Sequence, residues 1–258
     1  MTEDLVKSVT YDGFAHIELN RPAKRNALNA EMLSELVRLL DHYSLDPAVR
    51  AVVITGNERG FAAGADIGTL GSATPIELSQ SGFSDHWDQV AAQPKPLIAG
   101  VSSFALGGGL ELALACDIVI ADSSAIFGLP ETSIGVIPGA GGTQRLVRAV
   151  GKSMAMEMIL AGRKLNAQEA KEAGLISTVV GADETVEDRA FAIASAIASG
   201  APLAVRFAKA AVLQSFETSL STGILFERSL STLIAASEDR KEGMAAFAEK
   251  RSPQFKGR

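Results

Sequence analysis

Three consecutive glycines, Gly107 to Gly109, open an apolar segment, Leu110 to Ala115, whose only charge is Glu111. Unencumbered backbone N–H groups at a helix start can bind a developing oxyanion, and here a carboxylate sits beside them. Twenty positions on, Glu131 follows Pro130 in a turn and offers a second carboxylate. Upstream, Phe61-Ala62-Ala63-Gly64-Ala65-Asp66-Ile67 makes another Gly-containing turn directly after the strand-like run Ala51 to Gly56. If the two turns face each other, their N–H groups can grip one carbonyl oxygen.

The elements that must carry these residues are legible in outline. Asp12-Gly13 between alternating segments predicts a β-hairpin over 6–19, with His16 on its polar, solvent-facing phase. Asn29 is the expected N-cap of a helix over 30–43, with Leu33, Leu36, Val37 and Leu40 on its apolar face. Runs 50–55 and 96–101 are apolar enough for strands buried on both faces, and 117–121 and 125–127 predict further strands. Residues 68–95 mix Gly, Ser, Thr and Pro with amphipathic fragments, the composition of a mobile pocket wall. Within it, Phe83, His86 and Trp87 are read as ordinary packing of a short helix. Beyond 144 the pattern is helical, with one strand over 176–180 and none after Gly181.

Taken together, FAAGADI (61–67), LGGGLELA (106–113) and FGLPETSIGVIPGAGGTQRL (127–146) closely resemble the enoyl-CoA hydratase branch of the crotonase superfamily. The resemblance runs from Asn20-Arg21-Pro22 to the tail over 242–251. It implies an α/β fold, a spiral of ββα units over 1–198 followed by a helical region over 199–258 that builds a homotrimer or homohexamer and closes a neighbouring site. It also implies that the N–H groups of Ala65 and Gly108 form the oxyanion hole. Glu111 and Glu131 then act as the acid–base pair, Glu111 mainly activating water and Glu131 mainly delivering a proton to C2.

The same resemblance implies an acyl-CoA thioester as substrate and no permanently bound cofactor. Coenzyme A would lie against the backbone of Ala63, Ala65, Asp66 and Ile67, with Lys24 or Arg25 and Lys250 holding its phosphates. From the residues alone, Lys24 and Arg25 are equally a solvated turn, and Lys250 a helix C-terminal cation. Gly68-Thr69 stands where the family often has Lys-Glu, which removes a side-chain contact from position 68. Enoyl-CoA isomerisation or a non-catalytic scaffold member of the fold remains open. Substrate readings divide between general β-oxidation and hydration of a dehydroadipyl thioester in aromatic-acid catabolism.

Composition closes other routes. A net charge of −6 without a basic run argues against nucleic acid as partner. An acidic start, Thr2-Glu3-Asp4, does not fit a secretory leader, and the longest apolar window, 190–205, is broken by Gly200 and Pro202, so a soluble cytoplasmic protein away from the membrane is expected. Three scattered histidines offer no metal-ligand spacing, and the single cysteine, Cys116, reads as a small buried hydrophobe. Gly151-Lys152-Ser153 lacks the upstream glycine of a phosphate-binding loop, Leu146 standing there, and Gly139-x-Gly141 is followed by Gln144 rather than a third glycine, while Ser102 lacks the flanking glycine of a hydrolase elbow.

Overall fold

Val6–Tyr11 (β1) and Phe14–Leu19 (β2) pair antiparallel around Asp12-Gly13, the hairpin the alternation predicts. The computed structural model of the chain describes residues 4–66, 68 and 74–258. Ala51–Thr55 (β3), Leu97–Val101 (β4), Ile118–Ala121 (β6) and Thr178–Val179 (β9) extend the hairpin into a six-stranded sheet, each added parallel to its neighbour in the order β1-β2-β3-β4-β6-β9. Phe104–Leu106 (β5), Ile126–Gly128 (β7) and Leu165–Asn166 (β8) make a second, smaller sheet.

Every residue of β3 and β4 is buried, as their unbroken apolar runs require. Successive side chains point to opposite faces, so each strand feeds two cores. Val52 and Ile54 join the larger cluster with Ile17, Ala99 and Phe61, whereas Ala51 and Val53 join Phe14, Ile98 and Val186 on the other face.

With a second cover on this face, the polar phase of β2 is only partly solvated, and His16 is half-buried rather than facing solvent as expected. Its Nε2 lies 2.8 Å from Thr55 Oγ1 and Phe191 packs edge-on against the ring. Burial pushes its pKa down despite the opposing charge of Glu18.

The helix Ala30–Leu45 (α1) starts where Asn29 predicts. The Asn29 side chain accepts the Met32 N–H at 3.0 Å, and Leu33, Leu36, Val37 and Leu40 are buried beneath it. Between β3 and β4 the described residues form Pro75–Gln80 (α2) and Asp85–Ala91 (α3). Position 67 and positions 69–73, where part of the expected pocket wall falls, lie outside the described residues. Gly108–Ala115 (α4) follows β5, and Gly142–Val150 (α5), Lys152–Leu160 (α6) and Ala167–Glu172 (α7) precede β9.

After β9 the chain is helical throughout: Val186–Ala198 (α8), Pro202–Gln214 (α9), Leu220–Ile234 (α10) and Glu238–Glu249 (α11). No single described helix is long and apolar enough to cross a membrane; α8 and α9 reach that apolar length only as a pair, and they meet at 111°. While α8 packs on the sheet, α9 and α10 bury no residue fully, and they and the turn between them expose Val212, Phe216, Leu220, Leu225 and Leu233. The final segment folds back on α11: the Asp239 carboxylate, 2% exposed, accepts the N–H groups of Lys256 and Gly257, both at 2.7 Å.

Candidate active site

The glycine run begins α4 directly after β5, and the upstream turn is stitched against it. Ala62 bridges Ala105 in parallel, Leu106 N–H donates to Ala62 O at 3.0 Å, and Leu28 clasps the turn from outside by donating to Gly64 O and accepting from Asp66 N–H, both at 2.8 Å. The two turns therefore face each other. A methyl group built on Gly108 would lie 3.1 Å from Ala65 N, so only glycine leaves that gap open. Among the described residues neither the Ala65 N–H nor the Gly108 N–H has an acceptor. Two unsatisfied donors around one small gap can both donate to a single oxygen placed there.

Glu111 lies in the first turn of α4 and is 4% exposed. Its Oε1 accepts the N–H groups of Ala140 and Gly142, both at 2.8 Å, from the Gly-rich turn that opens α5. Gly142 has to be glycine there, since a Cβ would sit 2.8 Å from the same oxygen. Burial raises the Glu111 pKa, and the two N–H donors and the Arg145 cation pull it back toward the ionised form. Oε2 is left without a donor among the described residues.

Glu131 heads a single 3-10 turn, Glu131–Ile134, set after Pro130. Its Oε2 is buried and has no hydrogen-bond partner among the described residues. Its Oε1 lies 3.2 Å from the point a methyl on Gly107 would occupy, so the carboxyl hangs over the glycine run. Burial pushes its pKa up to about 7, with its own backbone N–H opposing and the charge of Glu111 adding to the rise. The two carboxyls thus sit in unlike environments, Glu111 held by two backbone N–H donors and Glu131 with a buried oxygen that has none, which pulls their proton affinities apart.

The other expected positions divide. Lys24 ends a 3-10 turn and Arg25 follows it in a left-handed conformation; both are exposed, and Arg25 O accepts the Ala63 N–H at 3.1 Å, which fixes this loop to the 61–66 turn. Asp66 turns its carboxylate to Arg21 at 2.7 Å and to the Gly68 N–H, and these contacts, with Lys24 nearby, hold its pKa low. Its side chain is thus held by the turn itself, and its N–H is taken by Leu28 O. Ile67 lies outside the described residues. Lys250 is the exposed left-handed C-cap of α11, and among the described residues no hydrogen bond or ion pair joins it to the 61–66 turn.

Several contributors escape a reading by residue type. Ala140 and Gly142 act through backbone N–H, which no side chain announces. Arg145 donates to Ala140 O at 2.9 Å and pairs with Asp88 at 3.1 Å, bracing the turn that holds Glu111. Trp87 is 1% exposed and buried as packing predicts, yet its indole N–H donates to Gly108 O at 3.0 Å. Two surface cavities, about 540 Å³ beside Arg50 and Phe255 and about 320 Å³ beside Asn20 and Asn57, lie away from both acids. Neither cavity includes the backbone donors or the acids described above.

Unpaired backbone amides and two unlike carboxyls, carried on parallel β-strands with crossover helices, are the groups with which an enzyme can activate an acyl carbonyl and move protons beside it. Comparison with known proteins narrows this. A model of the family described as enoyl-CoA hydratase/isomerase matches residues 9–258. The chain is 49% identical over 242 residues to 2,3-dehydroadipyl-CoA hydratase of Escherichia coli (strain K12), covering 94% of each protein. It is 47% identical over 240 residues to mitochondrial enoyl-CoA hydratase of Pongo abelii, covering 93% of this chain and 82% of the relative. Among solved structures, enoyl-CoA hydratase from Bacillus anthracis superposes with a TM-score of 0.93 at 39% identity, covering 99% of this chain and 100% of that one. The chain belongs to the enoyl-CoA hydratase/isomerase family, and its α/β architecture is the crotonase fold.

Proposed function

We propose that this protein adds water across the C2=C3 bond of a 2-enoyl-CoA thioester to give the 3-hydroxyacyl-CoA. The thioester oxygen sits between the N–H groups of Ala65 and Gly108, which meet the negative charge that grows on it during attack. A water molecule is shared by Glu111 and Glu131. Glu111 takes a proton from it as the water oxygen bonds to C3, the π pair moves to C2, and Glu131 gives its proton to C2. The acids finish with exchanged protonation states and are reset by proton exchange with solvent.

One observation carries this reading: the Glu131 carboxyl overhangs Gly107 with an unpartnered buried oxygen, while Gly108 stands within a methyl's reach of the Ala65 amide. Isomerisation needs a single shuttling base, and the second acid would then have no task. The test is the loss of the conjugated thioester absorbance on mixing purified protein with crotonyl-CoA, with the 3-hydroxyacyl product identified by mass. No absorbance change at micromolar enzyme would remove the assignment.

Lys24 or Arg25, on the loop fixed beside the 61–66 turn, is offered as the cation that holds a coenzyme A phosphate, joined by Lys250 from the C-terminal region. The exposed apolar residues of α9 and α10 favour a homotrimer or homohexamer built by residues 199–258 on a core over 1–198. Identity to the Escherichia coli relative favours an acyl chain bearing an ω-carboxylate. A kcat/KM series over acyl lengths, with and without that carboxylate, tests the last point.

A further inference from the structure

We propose that Trp87 is a positioning residue for the oxyanion-binding amide of Gly108, an inference that rests on the hydratase reading. A run of three glycines is the most freely rotating stretch a chain can contain, yet catalysis by a fixed dipole requires the N–H to be aimed before the charge arrives. Backbone bonds restrain it from one side: Gly107 N–H donates to Gly128 O at 2.9 Å, and Gly107 O accepts the Glu111 N–H at 3.0 Å. These fix the peptide unit that carries the Gly108 N–H.

The next peptide unit is held by the indole of Trp87, which donates to Gly108 O at 3.0 Å. Its ring atom Cζ2 also lies 3.2 Å from the point a Gly108 methyl would occupy, so the indole walls the residue as well as bonding to it. The indole itself is immobile: the side chain is 1% exposed, and Phe83 packs edge-on at 5.2 Å between ring centroids. Asp88, the next residue of α3, pairs with Arg145 on α5 and ties this helix to the turn that holds Glu111. Trp87 thus couples the polarising half of the site to the acid half without touching the reacting atoms.

Trp87 is the only tryptophan in the chain, so biosynthetic replacement by 3-benzothienylalanine changes this position alone, exchanging the N–H for sulfur at constant shape. The expected result is a kcat lower by about tenfold, KM within about twofold, and a smaller red shift of a bound dimethylaminocinnamoyl-CoA, whose absorption band reports carbonyl polarisation. An unchanged kcat, or an undiminished red shift, overturns the proposal and leaves Trp87 as packing. In the unmodified protein, the single indole ¹H–¹⁵N resonance is expected to exchange slowly with D2O. Exchange as fast as in free tryptophan overturns the proposal whether or not the replaced protein folds. Unmodified protein that polarises the chromophore but leaves crotonyl-CoA unhydrated would end the hydratase reading alone.

Discussion

Replacing Glu111 with Gln separates the charge of the base from its geometry. The Gln amide oxygen can still accept from Ala140 and Gly142, where the native oxygen takes two bonds of 2.8 Å. Those bonds weaken when the acceptor is neutral, but relief of the burial cost of a carboxylate offsets the loss, so stability should change by no more than about 1 kcal/mol. Turnover should not survive so lightly. A positioned base contributes roughly 10²–10⁴ in rate, about 2.7–5.4 kcal/mol at 1.36 kcal/mol per tenfold. The same substitution removes one of the causes that raise Glu131, so the pKa of about 7 should fall. Glu131 must be protonated to deliver its proton, and the alkaline limb of the residual rate should therefore move to lower pH. Stopped-flow and steady-state measurements on crotonyl-CoA from pH 5 to 9 check both parts. Turnover within tenfold of wild type, or a loss carried wholly by KM, would refute the assignment of the base.

Gly108→Ala should leave folding intact and lower kcat by about 10²–10³, because its methyl would occupy the gap 3.1 Å from Ala65 N; thioester affinity by calorimetry separates this from lost binding. The raised pKa of Glu131 means the native protein holds that proton more tightly than the unfolded chain. Stability from this group is complete below the ordinary value of 4.5 and is lost as pH rises toward about 7, so thermal melting at pH 5 and 8 should show a steeper loss for wild type than for Glu131→Gln. Lys250→Glu should raise KM for thioesters several-fold with kcat nearly constant; an unmoved KM would return Lys250 to its role as a helix cap.

What could be read from residues was the part governed by local chemistry. Asn29, Asp12-Gly13 and the apolar runs of β3 and β4 each act through their own neighbours, and the elements they predict are present. The short strands β5 and β8 went unread because three and two residues carry no periodicity. His16 misled because alternation reports one covered face, and the second cover, Phe191 on α8, lies 175 positions away. Within the site, the acids are visible as side chains, and it is the resemblance of the motifs to the family, not their spacing, that groups them with Ala65 and Gly108. The supports are not visible: Ala140 and Gly142 contribute an N–H that every residue but proline possesses, and the partner of Trp87 is a carbonyl.

That asymmetry has an evolutionary reading. The two donors belong to the main chain, so every substitution short of proline crowds them without deleting them, whereas either carboxyl disappears with almost any change of side chain. A descendant of this chain released from selection would lose water addition first and keep its grip on an acyl carbonyl, ready to be fitted with a different pair of side chains for a different reaction.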